Sequence, residues 1–333
     1  MKKILLIATG GTIASKYTNS GLSPQIDAAE LLSYVPEAAE FCTIDTVEPF
    51  SLDSTNMNST HWLTLVGLIE RKYEFYDGFV ICHGTDTMAY TAAALSYLIQ
   101  NNRRPVVITG AQKPIDLAIT DARSNLLDSL RFASHPRAHG VSIVFGGKVI
   151  AGTRAKKEFS RSYNAFSSIN YPDIASIHDD RIIFYIDDKD QNTSPLVFYH
   201  ELNPKVFLLK LIPGIRGDVL DLLFDHYDGL LLESFGVGGL PNYGDDSFLR
   251  ALEKWSAAGK LVVLGTQVTH EGSDMDIYQV GKVIKERCGI LESYDMTLEA
   301  SVTKMMWALG QTGDHDACRD LFYKTINHDL LFV

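Results

Sequence analysis

The sequence predicts an α/β protein of two domains. A larger N-terminal domain holds a mostly parallel sheet flanked by helices, and a smaller C-terminal α/β domain follows. Three observations carry this reading. The chain has 333 residues, more than one small core usually organises. Short β-branched or Leu-rich runs recur, each ending in Gly, Thr or Ser, and an amphipathic segment often follows. The runs are apolar without alternation, as in strands buried on both faces of a parallel sheet, and their succession with helices gives an α/β fold.

Taken in order, residues 4–8 lead into Thr9-Gly10-Gly11-Thr12, and Gly78–Cys82 leads into His83-Gly84-Thr85-Asp86-Thr87. Residues 106–108 run into Thr109-Gly110, and Val141–Phe145 into Gly146-Gly147. Later strands are predicted at 207–212, before Pro213-Gly214, at 229–232, before Glu233-Ser234, and at 261–264, before Gly265-Thr266-Gln267. The polar, turn-rich stretch 187–195 is the linker signal. It divides the chain into an N-terminal catalytic domain over 1–190, a linker over 191–207 and a C-terminal domain over 208–333. No internal repeat of solenoid period is present.

Composition excludes several function classes. A net charge of -11 weighs against nucleic acid as partner, since phosphate-backbone affinity needs clustered Lys and Arg. The four cysteines, Cys42, Cys82, Cys288 and Cys318, form no CxxC pair, and scattered cysteines suit a reducing, cytoplasmic compartment. The apolar run at 4–8 is shorter than the ~7–15 residues of a signal sequence, so a first buried strand is expected there. No run of about 18 apolar residues exists, so no membrane span is expected.

Familiar motifs fail one by one. Gly10-Gly11-Thr12 lacks the Gly-Lys-Ser/Thr of a phosphate loop, and Gly236-Val237-Gly238-Gly239-Leu240-Pro241 puts proline where a dinucleotide fingerprint needs its third glycine. No Gly-x-Ser-x-Gly elbow occurs. The ten histidines show no metal-ligand spacing. His83, alone at a strand end, reads as a structural histidine.

What remains is a pair of threonines at two strand ends, Thr12 and Thr85. Flanking glycines let backbone and substrate approach closely. A helix is predicted over 88–99, with Asp86 or Thr87 as its cap. Its N-terminus would favour an anionic group or a developing oxyanion. A hydroxyl nucleophile needs a base, and a lysine whose pKa is lowered can serve. Gly152-Thr153-Arg154-Ala155-Lys156-Lys157 supplies candidates.

With these residues in view, the chain resembles the bacterial-type L-asparaginases, in their short cytoplasmic, type I-like form, over essentially its whole length. The signatures are Ala8-Thr9-Gly10-Gly11-Thr12-Ile13-Ala14 and Gly78-Phe79-Val80-Ile81-Cys82-His83-Gly84-Thr85-Asp86-Thr87. Asp53-Ser54-Thr55-Asn56-Met57 matches a middle segment and residues 152–170 a lysine segment. Counting back from Phe166 puts Lys157, rather than Lys156, on the catalytic position. The resemblance implies that Thr12 attacks the amide carbon to form an acyl-enzyme, while Thr85, Asp86 and Lys157 move the proton and later help activate water. It also implies that Ser54 and Thr55 hold the substrate's α-carboxylate, that Asp86 pairs with its α-ammonium and that Ala111 lines the leaving-amide pocket. No metal or organic cofactor is implied. The implied substrate is L-asparagine and the implied assembly a homodimer or homotetramer.

Two rivals accompany this expectation. One is the asparaginase-like component of an archaeal tRNA-dependent amidotransferase, which releases ammonia from glutamine. Its extra N-terminal domain, set against a first strand starting at Lys2–Lys3, and the acidic charge here weigh against it. The other is a non-catalytic amino-acid sensor, against which Thr12, Thr85, Asp86 and Lys157 stand. Related enzymes often close a tyrosine about ten residues beyond the first threonine over the substrate. Here Leu22 stands near that place. The stretch 15–24 is expected to be a mobile surface loop, with Tyr17 either a substitute phenol or an exposed aromatic.

Overall fold

The computed structural model describes residues 1–333 except 20, 188–192, 243, 245, 278, 332 and 333. Two compact units result, Met1–His200 and Glu201–Val333.

The first unit opens with β1 (Lys2–Ala8), followed by a short hairpin of β2 (Ser15–Thr18) and β3 (Gly21–Pro24), then β4 (Cys42–Val47) and β5 (Gly78–Cys82). After these come β6 (Ile99–Gln100), β7 (Val106–Thr109), β8 (Val141–Phe145), β9 (Lys148–Ala151), β10 (Ala155–Lys157) and β11 (Phe166–Ser168). The unit ends with β12 (Ala175–His178), β13 (Arg181–Phe184) and β14 (Val197–Phe198). Its helices are α1 (Ala28–Ser33), α2 (Ser59–Lys72), α3 (Met88–Leu98) and α4 (Ala122–Ser134).

Eight strands form one sheet in the order β13-β12-β9-β8-β7-β5-β1-β4. From β4 to β8 all neighbours are parallel, and β9, β12 and β13 close the edge antiparallel. Every residue of β5, β7 and β8 is buried, as unbroken apolar strands with helices on both faces require. Leu6, Val80, Val107 and Val144 pack with Leu126 and Leu130 of α4 in one core. Parallel strands set their carboxyl ends side by side, so Ala8 stands next to Cys82, and Cys82 next to Thr109. That edge is where open α/β sheets place ligands.

Part of the stretch read as a linker, 188–192, lies outside the described residues. Within 191–207, β14 pairs antiparallel with β6, so this segment adds a strand to the first unit.

The second unit is a four-stranded parallel sheet, β15 (Val206–Lys210), β16 (Gly229–Ser234), β17 (Leu261–Thr266) and β18 (Leu291–Glu292), in that order. Its helices are α5 (Asp218–Phe224), α6 (Ser247–Ala257), α7 (Gln279–Cys288), α8 (Leu298–Gln311) and α9 (His315–Tyr323). Leu230, Leu232, Val262 and Leu264 face Leu252 and Trp255 of α6 in its core. No helix among the described residues is long and apolar enough to cross a membrane.

Candidate active site

The site is assembled by turns that leave the strand ends. After β1 the chain passes Thr9, whose N–H donates to the Cys82 carbonyl at 3.0 Å. It then enters a 3-10 turn over Thr12–Ala14. The segment before α2 is laid alongside by reciprocal backbone bonds. Leu52 N–H donates to Thr9 O at 3.0 Å, and Gly11 N–H donates to Leu52 O at 3.1 Å. That pairing leads into a second 3-10 turn, Ser54–Asn56, whose cap Asp53 accepts from the Thr55 N–H at 2.9 Å. The third turn, residues 83–87, runs from β5 into α3.

Two glycines let the three turns touch. A methyl group on Gly11 would stand 2.4 Å from the Gly84 nitrogen, and one on Gly84 would stand 2.6 Å from Ser54 Oγ. No side chain tolerates such distances, so only glycine permits this contact. The turns that carry Thr12, Ser54 and Thr85 thereby meet at the sheet's carboxyl edge. Thr85 and Ser54 are buried, Thr12 is half-buried, and Thr55 and Asp86 are exposed. The Thr12 hydroxyl makes no hydrogen bond among the described residues. The Thr55 hydroxyl donates to Asp53 at 2.9 Å. Ala111 is buried within the core that backs the sheet.

The lysine arrives from a hairpin. β10 and β11 pair antiparallel with Lys157 opposite Phe166 and Lys156 opposite Ser167. Neighbours along a strand point to opposite faces, so only one of the two lysines turns inward. Lys157 Nζ donates to Thr85 Oγ1 at 2.8 Å and to Asp86 Oδ1 at 2.6 Å. The lysine side chain is 17% exposed against 60% for the aspartate, so the charge pair sits with its cation shielded and its anion at the mouth.

The expected cap of α3 takes a different form. Thr87 occupies the N-cap position without a capping hydrogen bond. Its hydroxyl donates instead to the Ser54 carbonyl at 2.8 Å, and Asp86 is engaged by Lys157. Both side chains knit the site rather than the helix end.

Three further features surround the site, and of these Gln112 and Asp121 are not legible in the sequence. His83 is fully buried and both ring nitrogens are partnered, Nδ1 with Gly84 O at 2.6 Å and Nε2 with Thr91 Oγ1 at 2.9 Å. A carbonyl only accepts, so Nδ1 carries the proton and Nε2 accepts from Thr91. Trp62 Nε1–H completes the chain by donating to Thr91 Oγ1 at 2.9 Å. Burial pushes the imidazole pKa down to about 4, which keeps it neutral. Gln112 follows the end of β7, and Thr85 Oγ1 lies 3.3 Å from its Oε1. Asp121 receives the Gln112 N–H at 2.9 Å and the Lys113 N–H at 3.1 Å, and burial raises its carboxyl pKa. No cluster of metal-ligating side chains occurs among the described residues.

A family model described as asparaginase, N-terminal, matches residues 3–189, and one for the glutaminase/asparaginase C-terminal domain matches 205–322. The chain belongs to the asparaginase family. An L-asparaginase of Thermococcus kodakarensis is 39% identical over 97% of this chain and 98% of its own length. A glutamyl-tRNA(Gln) amidotransferase component of Metallosphaera sedula is 34% identical over 94% of this chain and 73% of its own length. Among solved structures, the thermostable L-asparaginase from Thermococcus kodakarensis superposes with a TM-score of 0.92 at 36% identity, covering 99% of this chain and 100% of that one.

Proposed function

We propose that this chain is an L-asparaginase, hydrolysing the side-chain amide of L-asparagine to L-aspartate and ammonia through an acyl-enzyme on Thr12. The observation that carries the reading is the cluster of Lys157 Nζ against both Thr85 Oγ1 and Asp86 Oδ1, with the Thr12 hydroxyl unengaged among the described residues. Membership of the family supports it.

The chemistry runs in two halves. Thr12 Oγ bonds to the amide carbon as its proton leaves to a base. The C–N bond then breaks, the nitrogen takes up a proton, and ammonia departs. Water next attacks the ester, giving a proton toward Thr85 and Lys157, and the Thr12 hydroxyl is restored with release of aspartate. Lys157 must shed its own proton to act as base. Ser54 and Thr55 hold the α-carboxylate, Asp86 the α-ammonium, and Ala111 lines the amide end. A small site with one fixed anion and several hydroxyl donors suits a zwitterionic amino acid and rejects analogues lacking one group. Four free, buried cysteines support a reducing cytoplasmic setting.

Ammonia release tests the reading. Turnover of asparagine should exceed that of glutamine, and equal kcat/KM would sink the assignment. Thr12→Ala and Thr85→Val should each remove nearly all activity with the fold intact, the double variant being little worse because the residues act as a unit. A tenth of the activity surviving in either, a loss of only about 1.4 kcal/mol, would refute their roles. The match to the amidotransferase component sustains a second reading, release of ammonia from glutamine for a partner. Glutamine preferred over asparagine in the same assay is its signature.

A further inference from the structure

We propose that Gln112 is a positioning residue that ties the Thr85 hydroxyl to the hairpin carrying Lys157. The inference rests on the threonine-lysine chemistry above. Its starting point is the orientation of one amide.

Gln112 Nε2 lies 3.2 Å from the Phe159 carbonyl and 3.1 Å from the Ser162 carbonyl. Both groups only accept, so the NH2 must face them, and a flipped amide would set three oxygens together. Oε1 is therefore left facing Thr85 at 3.3 Å. Lys157, as an ammonium, donates to Thr85 Oγ1, which leaves the threonine proton to go to Gln112. At 3.3 Å this contact is longer than the usual hydroxyl bond of about 2.7–2.8 Å. Resting sites commonly hold such bonds long until substrate tightens them.

Residues 159 and 162 belong to the connection between β10 and β11, and Lys157 is the last residue of β10. The loop's base is closed by Glu158 N–H to Ala165 O at 2.8 Å and Phe159 N–H to the same carbonyl at 3.3 Å. Gln112 is thus bonded on one end to the loop that aims Lys157 and on the other to the hydroxyl Lys157 addresses. Its own backbone is held in turn by buried Asp121. The side chain therefore keeps lysine and threonine in register and turns the Thr85 proton away from Lys157 in the resting site. The charged groups on the segments that touch it are Asp86, Lys157, Glu158 and Arg161 of the turn and hairpin, Lys113 beside it in the chain, and Asp121.

The test uses the full chain with Gln112→Leu and Gln112→Glu. The leucine variant keeps the bulk but loses both functions, so kcat should fall about tenfold with KM within about twofold, a barrier increase of about 1.4 kcal/mol. The glutamate variant imitates glutamine while protonated. As a carboxylate it repels the two carbonyls and holds Lys157 charged, so its activity relative to wild type should drop as pH rises from about 5 to 8, through and beyond the ordinary carboxyl range. For the leucine variant the same ratio should stay level. Hydrogen exchange at the Glu158 and Phe159 amides, which needs no turnover, should quicken about tenfold when leucine replaces the glutamine, as expected of local opening once a tether is cut. Wild-type kcat/KM in the leucine variant, a level pH ratio in the glutamate variant, or unchanged exchange would each overturn the proposal. A wild-type chain inactive on both amides would fail the functional reading instead, and the exchange result would still decide the tether.

Discussion

Each residue of the site owes its setting to a partner that sequence pattern reveals unevenly. Thr12 and Thr85 stand out because glycine and threonine directly follow unbroken apolar runs. Lys157 is separable from Lys156 only by register against Phe166, and the hairpin pairs those two residues. We expect Lys157→Met to cost at least a hundredfold in kcat, about 2.7 kcal/mol, and Lys156→Met to be nearly silent. Comparable losses in the two would dissolve the distinction. Gln112 is not legible, because a glutamine in a coil carries no periodic or motif signal and its meaning lies in carbonyls of Phe159 and Ser162, far along the chain. His83 reads as structural, and its burial adds a pH dependence. Its folded pKa of about 4 lies below the ordinary ~6.5. The stabilisation is therefore complete above pH ~6.5 and lost as pH falls toward 4, roughly 3 kcal/mol in all. The melting temperature of wild type should fall across that window, as pH drops, more steeply than that of His83→Asn. Parallel curves would show that His83 is not the group responsible.

At the scale of elements, the apolar strands are readable because burial on both faces leaves no alternation to confuse. The short pieces are less so. Residues 15–24 read as a loop from their Lys, Asn, Ser, Gly and Pro content, yet the described residues form a hairpin with Tyr17 opposite Leu22 and Thr18 opposite Gly21. Ser20 lies outside the described residues. Cross-strand pairing outweighs composition there, as it does when propensities are weak. Tyr17 is 67% exposed and its hydroxyl has no partner among the described residues. Tyr17→Phe should therefore keep most of kcat, whereas deleting the hairpin should harm kcat and KM together. Steady-state kinetics on both variants decides it, and a hundredfold fall for Tyr17→Phe would make its phenol the activating group. α3 shows the opposite lesson. Its position is legible to within a residue, but the side chains expected to cap it are drawn into the site by Lys157 and the Ser54 carbonyl, contacts no local pattern encodes.

For the whole molecule, the two α/β units follow from length and strand succession. Their division at 200/201 depends on β14 pairing with β6, a long-range contact that linker composition cannot announce. We propose that the chain works as a homodimer or homotetramer, the assembly its resemblance implies. Light scattering at assay concentration should find no monomer, and a fully active monomer would count against it. Gly239, whose backbone pairs with Phe235, offers no side chain to a neighbouring copy, so any substrate contact between copies must come from another residue. The glycine-packed edge also has a consequence for biosynthesis. Thr12 is made early, whereas Lys157 and the loop that aims it follow only after roughly another 145 residues, about 7–30 s at ordinary rates of synthesis. The turn at Thr12 can pair with Leu52 early, but its contact with Gly84 waits for the turn after β5, and Lys157 is absent until the hairpin has left the ribosome. On the proposed mechanism a growing chain would thus carry the Thr12 hydroxyl without its base, and amidase chemistry would begin only once the sheet and the hairpin had been made.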